Sequence, residues 1–186
     1  MTHSWLDDIA AANRSFRDRI RPQRLMTDGP SGRGVITCKD PRVNLAAIGV
    51  RAFGEDGFQD SHVAIIRTAG ARVDERSLLV AVFLADVTEL LVLGHTDCGV
   101  KKAHDEIQKI RAQMEARLTP QALAAFHDEV GDSSDDLRSW IKTFTDPRAA
   151  VRDEIAHIRS LSFAPSDLLI HGAVYDVATG AVSVVT

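Results

Sequence analysis

The chain is predicted to fold as an α/β domain. It has a central, mainly parallel β-sheet flanked by helices, an antiparallel C-terminal edge strand and an N-terminal amphipathic helix. Three observations predict this. Short apolar runs alternate with longer helical stretches along the 186 residues, the order expected of a parallel sheet with crossover helices. Two of the runs end on Cys38 and His95, and the carboxyl ends of parallel strands are where functional groups gather. A Thr179-Gly180 turn joins the last two runs, a connection suited to an antiparallel hairpin. The length suits one domain with a sizeable core. Residues 1–186 are therefore read as a single domain, with 1–26 as an N-terminal helical arm.

In chain order, Trp5, Ile9, Ala12, Phe16 and Ile20 repeat at helical spacing and make one face of an amphipathic helix over 4–20. The segment 27–34 (TDGPSGRG) is a turn-rich connector. GVITC (34–38) reads as a buried strand, VNLAAIGV (43–50) as a short helical piece and FGEDGFQD (53–60) as a loop. HVAIIR (62–67) is the second strand. Residues 74–87 form an apolar helix whose positive end carries Asp74 and Glu75. ELLVLGH (89–95) is the third strand. A charged helix is expected from Val100 to Leu118, then irregular chain with a short helix over 119–135. Two helices follow at 137–144 and 147–161, the second with Pro147 in its first turn. DLLIHGAVYDV (167–177) and AVSVV (181–185) complete the sheet.

Composition narrows the function. A net charge of −4 with scattered basic residues invites neither nucleic acid nor an anionic membrane. No stretch approaches the roughly 20 apolar residues of a membrane span. The first residues carry Asp7 and Asp8 and no continuous apolar core, unlike a secretory signal, so a cytoplasmic location is expected. In that setting the two cysteines, Cys38 and Cys98, suggest metal binding or catalysis, with two inert buried thiols as the plain alternative.

Cys38 closes the first strand, His95 closes the third, and Cys98 follows at the start of a helix. If the first and third strands are neighbours, the three face one crevice. Thiolate and imidazole suit Zn²⁺, and three protein ligands leave a tetrahedral ion one open position. One zinc per chain is expected. A helix N-terminus favours the Cys98 thiolate. Asp40 and Arg42 flank Pro41 just after Cys38; a carboxylate beside a guanidinium stays ionised at neutral pH and can orient a zinc-bound water. Taken alone, Asp40-Pro41-Arg42 reads first as a turn with a solvated ion pair.

CKDPRV (38–43), HVAIIRTAG (62–70) and LGHTDCG (93–99), in this order, resemble the three signature blocks of the β-class carbonic anhydrases; VYDVATG (174–180) resembles the family's last strand and turn. The resemblance implies that Cys38, His95 and Cys98 are zinc ligands and that Asp40 and Arg42 are a catalytic dyad. It implies that Arg67, Thr68, Ala69 and Gly70 line the substrate pocket. The activity it implies is reversible hydration of carbon dioxide to bicarbonate by a carbonate dehydratase, a zinc lyase whose zinc-bound hydroxide attacks carbon. Thr68 stands where the family usually has Asn, and Ala71 and Arg72 where it often has small residues. The compact branch of the family that this chain resembles also contains carbonyl sulfide and carbon disulfide hydrolases, which is the first alternative. A non-catalytic zinc-binding α/β protein is the second, and Asp40 with Arg42 speaks against it. His62, Asp97 and His104 are candidate proton carriers. The partners expected are the small-molecule substrate and a second copy of the chain, as a homodimer or higher homo-oligomer, with the N-terminal helix crossing to the partner.

Overall fold

The computed structural model describes residues 5–19, 32–50 and 63–185. Residues 20–31, with Ile20 of the N-terminal stripe and part of the expected connector at 27–34, and residues 51–62, with the expected loop at 53–60 and His62, lie outside the described residues.

Five strands form one sheet: β1 (Arg33–Cys38), β2 (Ala64–Thr68), β3 (Glu89–His95), β4 (Leu169–Tyr175) and β5 (Val182–Val185), in the order β2-β1-β3-β4-β5. The first four are parallel and β5 runs antiparallel to β4. Buried residues dominate β1 and β3, as expected of strands covered on both faces. The register sets Cys38 beside Thr68 and Thr37 beside Leu93, so β1 and β3 end together at one edge of the sheet.

The helices are α1 (Trp5–Arg19), α2 (Glu75–Phe83), α3 (Gly99–Asp105), α4 (Ile107–Arg117), α5 (Pro120–Val130), α6 (Ser134–Ile141) and α7 (Pro147–Ser160), with 3-10 turns at Leu45–Ile48 and Ala69–Ala71. The main core joins Ile36, Leu90 and Val92 of the sheet to Leu78 of α2 and Val151 and Ile158 of α7. Two glycines let α7 lie close on the sheet. A Cβ on Gly94 of β3 would stand 2.8 Å from Val151 Cγ2, and one on Gly172 of β4 would stand 2.8 Å from Val151 and Ile155.

Several boundaries differ from the sequence expectation. The helix expected over 100–118 is two helices, because Glu106 (φ −104, ψ 28) leaves helical geometry between α3 and α4. The stretch expected to be irregular with a short helix is mostly helix, α5, whose start is fixed by the Thr119 hydroxyl accepting the Ala122 N–H and by Pro120 in the first turn. The helix expected at 137–144 begins earlier, at a reciprocal cap between Ser133 and Asp136, and stops at Lys142 in the left-handed conformation. Helix α2 ends at Phe83, and Asp74 caps it from outside by accepting the Ser77 N–H. No helix among the described residues is long and apolar enough to cross a membrane.

Candidate metal centre

The β1–β3 ladder carries Cys38 and His95 to one end of the sheet, and the turn after β3 returns Cys98 beside them. Asp97 takes a positive φ of 52° to make that turn, and Cys98 is the N-cap of α3. One ligand atom from each of Cys38, His95 and Cys98 lies within 4.8 Å of the other two. All three residues are buried, at 4%, 1% and 3% exposure, so solvent does not satisfy them. The cysteine sulfurs are 3.9 Å apart and both thiols are free.

The donor set fits a metal ion on its own chemistry. His95 Nδ1 lies 2.8 Å from the Thr96 carbonyl, which can only accept, so Nδ1 is the donor. Nε2 then presents a lone pair, and it is buried with no hydrogen-bond partner. A buried unpaired acceptor is costly. Here it sits beside two sulfurs, and an ion held between the three would satisfy it. The Thr96 carbonyl fixes the tautomer and ring orientation, as the outer partner of a metal-bound histidine does.

The electrostatics point the same way. The Cys98 thiol donates to the Cys38 sulfur, which is thereby drawn toward thiolate against the effect of burial; the His95 side chain and the Asp40 and Gly70 N–H groups add to this. Cys98 is pushed up in turn, first by keeping that shared proton and then by burial. Burial alone would lower the His95 imidazole, but the neighbouring Cys38 sulfur and the charge drawn onto it raise it overall. Metal ligation would replace the shared proton by a cation that favours both thiolates.

Asp40 and Arg42 form a fork beside these ligands. Arg42 donates through Nε to Asp40 Oδ1 at 3.0 Å, through Nη2 to Oδ2 at 2.8 Å, and through its own backbone N–H to Oδ1 at 2.9 Å. These bonds hold the Asp40 carboxyl well below the usual carboxylate range, with the Arg42 side chain the largest cause. The ligand group does not include Asp40. Arg42 has a second acidic partner that the sequence reading did not assign: Nη1 donates to Asp97 Oδ2 at 2.6 Å and Nη2 to the Asp97 carbonyl at 2.9 Å. One guanidinium thus ties the loop after Cys38 to the turn between His95 and Cys98. The only signal in the sequence was an acid between two ligand candidates. Of the other proton-carrier candidates, His104 Nδ1 is hydrogen-bonded to Thr143 Oγ1 at 3.0 Å.

The block Arg67–Gly70 is divided in space. Arg67 donates to the Cys38 carbonyl at 3.0 Å and the Val43 carbonyl at 3.2 Å, bracing the loop that holds Asp40. Arg67 and Thr68 line an open groove along β2 and α2. Gly70 and Ala71 line a small pocket with His95, Cys98, Phe144 and Val151. The Thr68 hydroxyl, in place of an amide, donates to the Arg72 carbonyl and closes the turn after β2.

Comparison with known proteins agrees with this geometry. The sequence profile of the family described as carbonic anhydrase matches residues 34–182. A putative carbonic anhydrase of Bacillus subtilis, YtiB, is 29% identical over 187 residues, covering 95% of this chain and 94% of that protein. A carbon disulfide hydrolase of an Acidianus species is 31% identical over 159 residues, covering 78% and 72%. The crystal structure of a carbonic anhydrase from Streptococcus mutans superposes with a TM-score of 0.72 at 30% identity, covering 100% of both chains.

Proposed function

The chain belongs to the carbonic anhydrase family, in its β class, and from that premise we propose that it is a carbonate dehydratase, hydrating carbon dioxide reversibly to bicarbonate with one zinc ion per chain. The observation that carries the reading is the buried group of Cys38, His95 and Cys98 with an unpartnered Nε2, beside a carboxylate that its own arginine keeps ionised.

Cys38 Sγ, His95 Nε2 and Cys98 Sγ would hold the ion. Zinc bound by such a set lowers the pKa of water to about 7 and so supplies hydroxide at neutral pH. The chain's own residues then position the reactants. Asp40, ionised and fixed by Arg42, accepts a hydrogen bond from the nucleophile's O–H and turns its lone pair toward carbon. Asp97 holds the far side of the Arg42 guanidinium, so the carboxylate has one orientation. The burial of both cysteines and of His95 restricts solvent at the ligands.

A second reading has a specific observation behind it, the 31% identity to a carbon disulfide hydrolase. The same residues would direct hydroxide at a sulfur-bearing carbon. Stopped-flow hydration of carbon dioxide and sulfide release from carbonyl sulfide and carbon disulfide, run on one zinc-loaded preparation, separate the two. The carbon dioxide reading expects fast hydration, about one zinc per chain, and loss of most zinc in Cys98→Ser. Slow hydration with rapid sulfide release favours the second reading, and zinc-free protein with full activity refutes both.

The proposal includes a dimer or higher homo-oligomer. Trp5, Leu6 and Ile9 of α1 are 80%, 71% and 44% exposed in the single chain, more apolar surface than an isolated arm helix leaves to water. An open groove on α3 and α4 offers Ala103, Ile110, Met114 and Leu118 as an apolar floor of the kind such a helix fits. A cytoplasmic location is part of the same reading, since thiolate ligands persist where thiols stay reduced.

A further inference from the structure

Immediately after β2 the backbone enters a conformation that L-residues resist. Gly70 (φ 69, ψ 19) and Ala71 (φ 59) lie in succession in the left-handed region, and Ala71 is 2% exposed. Such strain persists only where the surroundings over-determine it. Three fasteners do so here. The Thr68 hydroxyl donates across the turn to the Arg72 carbonyl. Glu154 of α7, 3% exposed, accepts the Val73 N–H at 2.6 Å and Arg72 Nη1 at 3.0 Å. Arg72 also donates to the Ala150 carbonyl at 3.1 Å and the Lys142 carbonyl at 3.2 Å, and lies 5.5 Å from the centre of the Phe144 ring.

A buried ion pair is a poor device for stability alone, because apolar side chains of similar volume often do as well. It is a good device for fixing a position. The position fixed is that of Gly70, two residues beyond Thr68, the register partner of Cys38, and in the lining of a small pocket shared with His95 and Cys98. A Cβ on Gly70 would stand 3.2 Å from Phe144 and from Val100, and those two residues pack in one cluster with Cys38 and Cys98. The turn is therefore pressed against the ligand cradle from one side while Glu154 and Arg72 hold it from the other.

We propose that Arg72 and Glu154, assisted by Thr68, are positioning residues that keep the Gly70–Ala71 turn packed against the cluster of Cys38 and Cys98 and thereby set the affinity and ligand field of the metal centre. This rests on the zinc reading above. Groups that orient a metal ligand from outside change metal affinity by about 10- to 100-fold when removed.

The test uses the full chain and its Glu154→Gln, Arg72→Ala and Thr68→Val variants. Zinc affinity is measured by chelator competition, the thiolate-to-metal charge-transfer band on the Co²⁺-substituted protein, and the melting temperature on the metal-free form. Glu154→Gln and Arg72→Ala should weaken zinc binding about 10-fold or more and move the Co²⁺ band. Thr68→Val, which removes one hydroxyl and keeps the ion pair, should do the same to a smaller extent, and serves if the ion-pair variants do not fold. Ala71→Gly, which relieves the left-handed strain, should restore part of the affinity in the Glu154→Gln background. Variants that melt earlier but match the wild type in zinc affinity and Co²⁺ spectrum overturn the proposal alone. A wild-type protein that takes up no zinc overturns the underlying reading and this proposal with it.

Discussion

Gly94→Ala tests how closely the sheet, the helix behind it and the metal centre are coupled. The added Cβ would lie 2.8 Å from Val151 Cγ2 and 3.5 Å from the Pro147 carbonyl oxygen. Unstrained carbon contacts are about 3.5–4.0 Å, so the shortfall to Val151 is roughly 0.7–1.2 Å. Val151 cannot give easily. It is 2% exposed, its branched side chain is stiff in a helix, and it sits in the main core. Overpacking of this kind costs about 1–3 kcal/mol. For a chain of this size that lowers the melting temperature by roughly 2–4 °C per kcal/mol. Val151→Ala removes the colliding methyl, and alone it destabilises by lost burial. In the double variant the collision is gone, so the loss should fall short of the sum of the singles by about 1–2 kcal/mol, within the usual range for residues in contact. Urea unfolding followed by circular dichroism measures all four proteins at one zinc concentration, since bound metal adds to stability. Losses that add to within about 0.5 kcal/mol would show that the contact is not what makes position 94 a glycine. Gly94 also precedes His95, so the single variant should lose zinc affinity along with stability, and Val151→Ala should recover the affinity.

Asp40→Ala and Arg42→Ala should each lower turnover by about 100-fold or more while zinc is kept, and the double variant should be little worse than either single. Kinetics beside metal analysis checks this, and losses that multiply would count against a coupled pair. The Asp40 carboxyl is depressed in the folded state, chiefly by Arg42. Its stabilisation is therefore complete above the ordinary carboxyl value of 3.8 and fades as pH falls through the lower folded value. The stability gap between wild type and Asp40→Asn should be flat from pH 8 to about 5 and close below about 4 in acid titrations followed by circular dichroism. Ser133→Ala removes a reciprocal cap and should destabilise by about 1 kcal/mol. Deleting residues 1–22 should reduce the mass measured by light scattering to that of a smaller assembly; unchanged mass and activity would remove α1 from the subunit interface.

The ligand set was legible because its signals are local. Cys38 and His95 each end an apolar run, and the donor types themselves indicate a metal. The mainly parallel sheet followed from the alternation of runs; the strand order did not, and it is the β1–β3 pairing that places the two strand ends side by side. Asp97 was legible only as an acid near the site, because its partner Arg42 lies 55 residues away and is brought there by strand register. Glu154 carried no signal, since its partner Arg72 lies 82 residues away and meets it only when α7 docks on the sheet. The break at Glu106 was hidden because the charged stretch around it has helical composition throughout. Helix α5 was legible in principle: Thr119-Pro120 is a cap followed by a first-turn proline.

The two cysteines are separated by 60 residues in sequence yet stand 3.9 Å apart. Closing a chain of that length costs roughly 3–4 kcal/mol of entropy before any contact repays it. In the unfolded chain, zinc would meet only His95 and Cys98 within one turn of each other, a bidentate and weak receptor. The three-donor receptor exists only after β1 has paired with β3, so the metal recognises a finished piece of tertiary structure. Added zinc should then slow unfolding and leave the refolding rate nearly unchanged, and loading in the cell becomes a late step on a chain that has already found its topology.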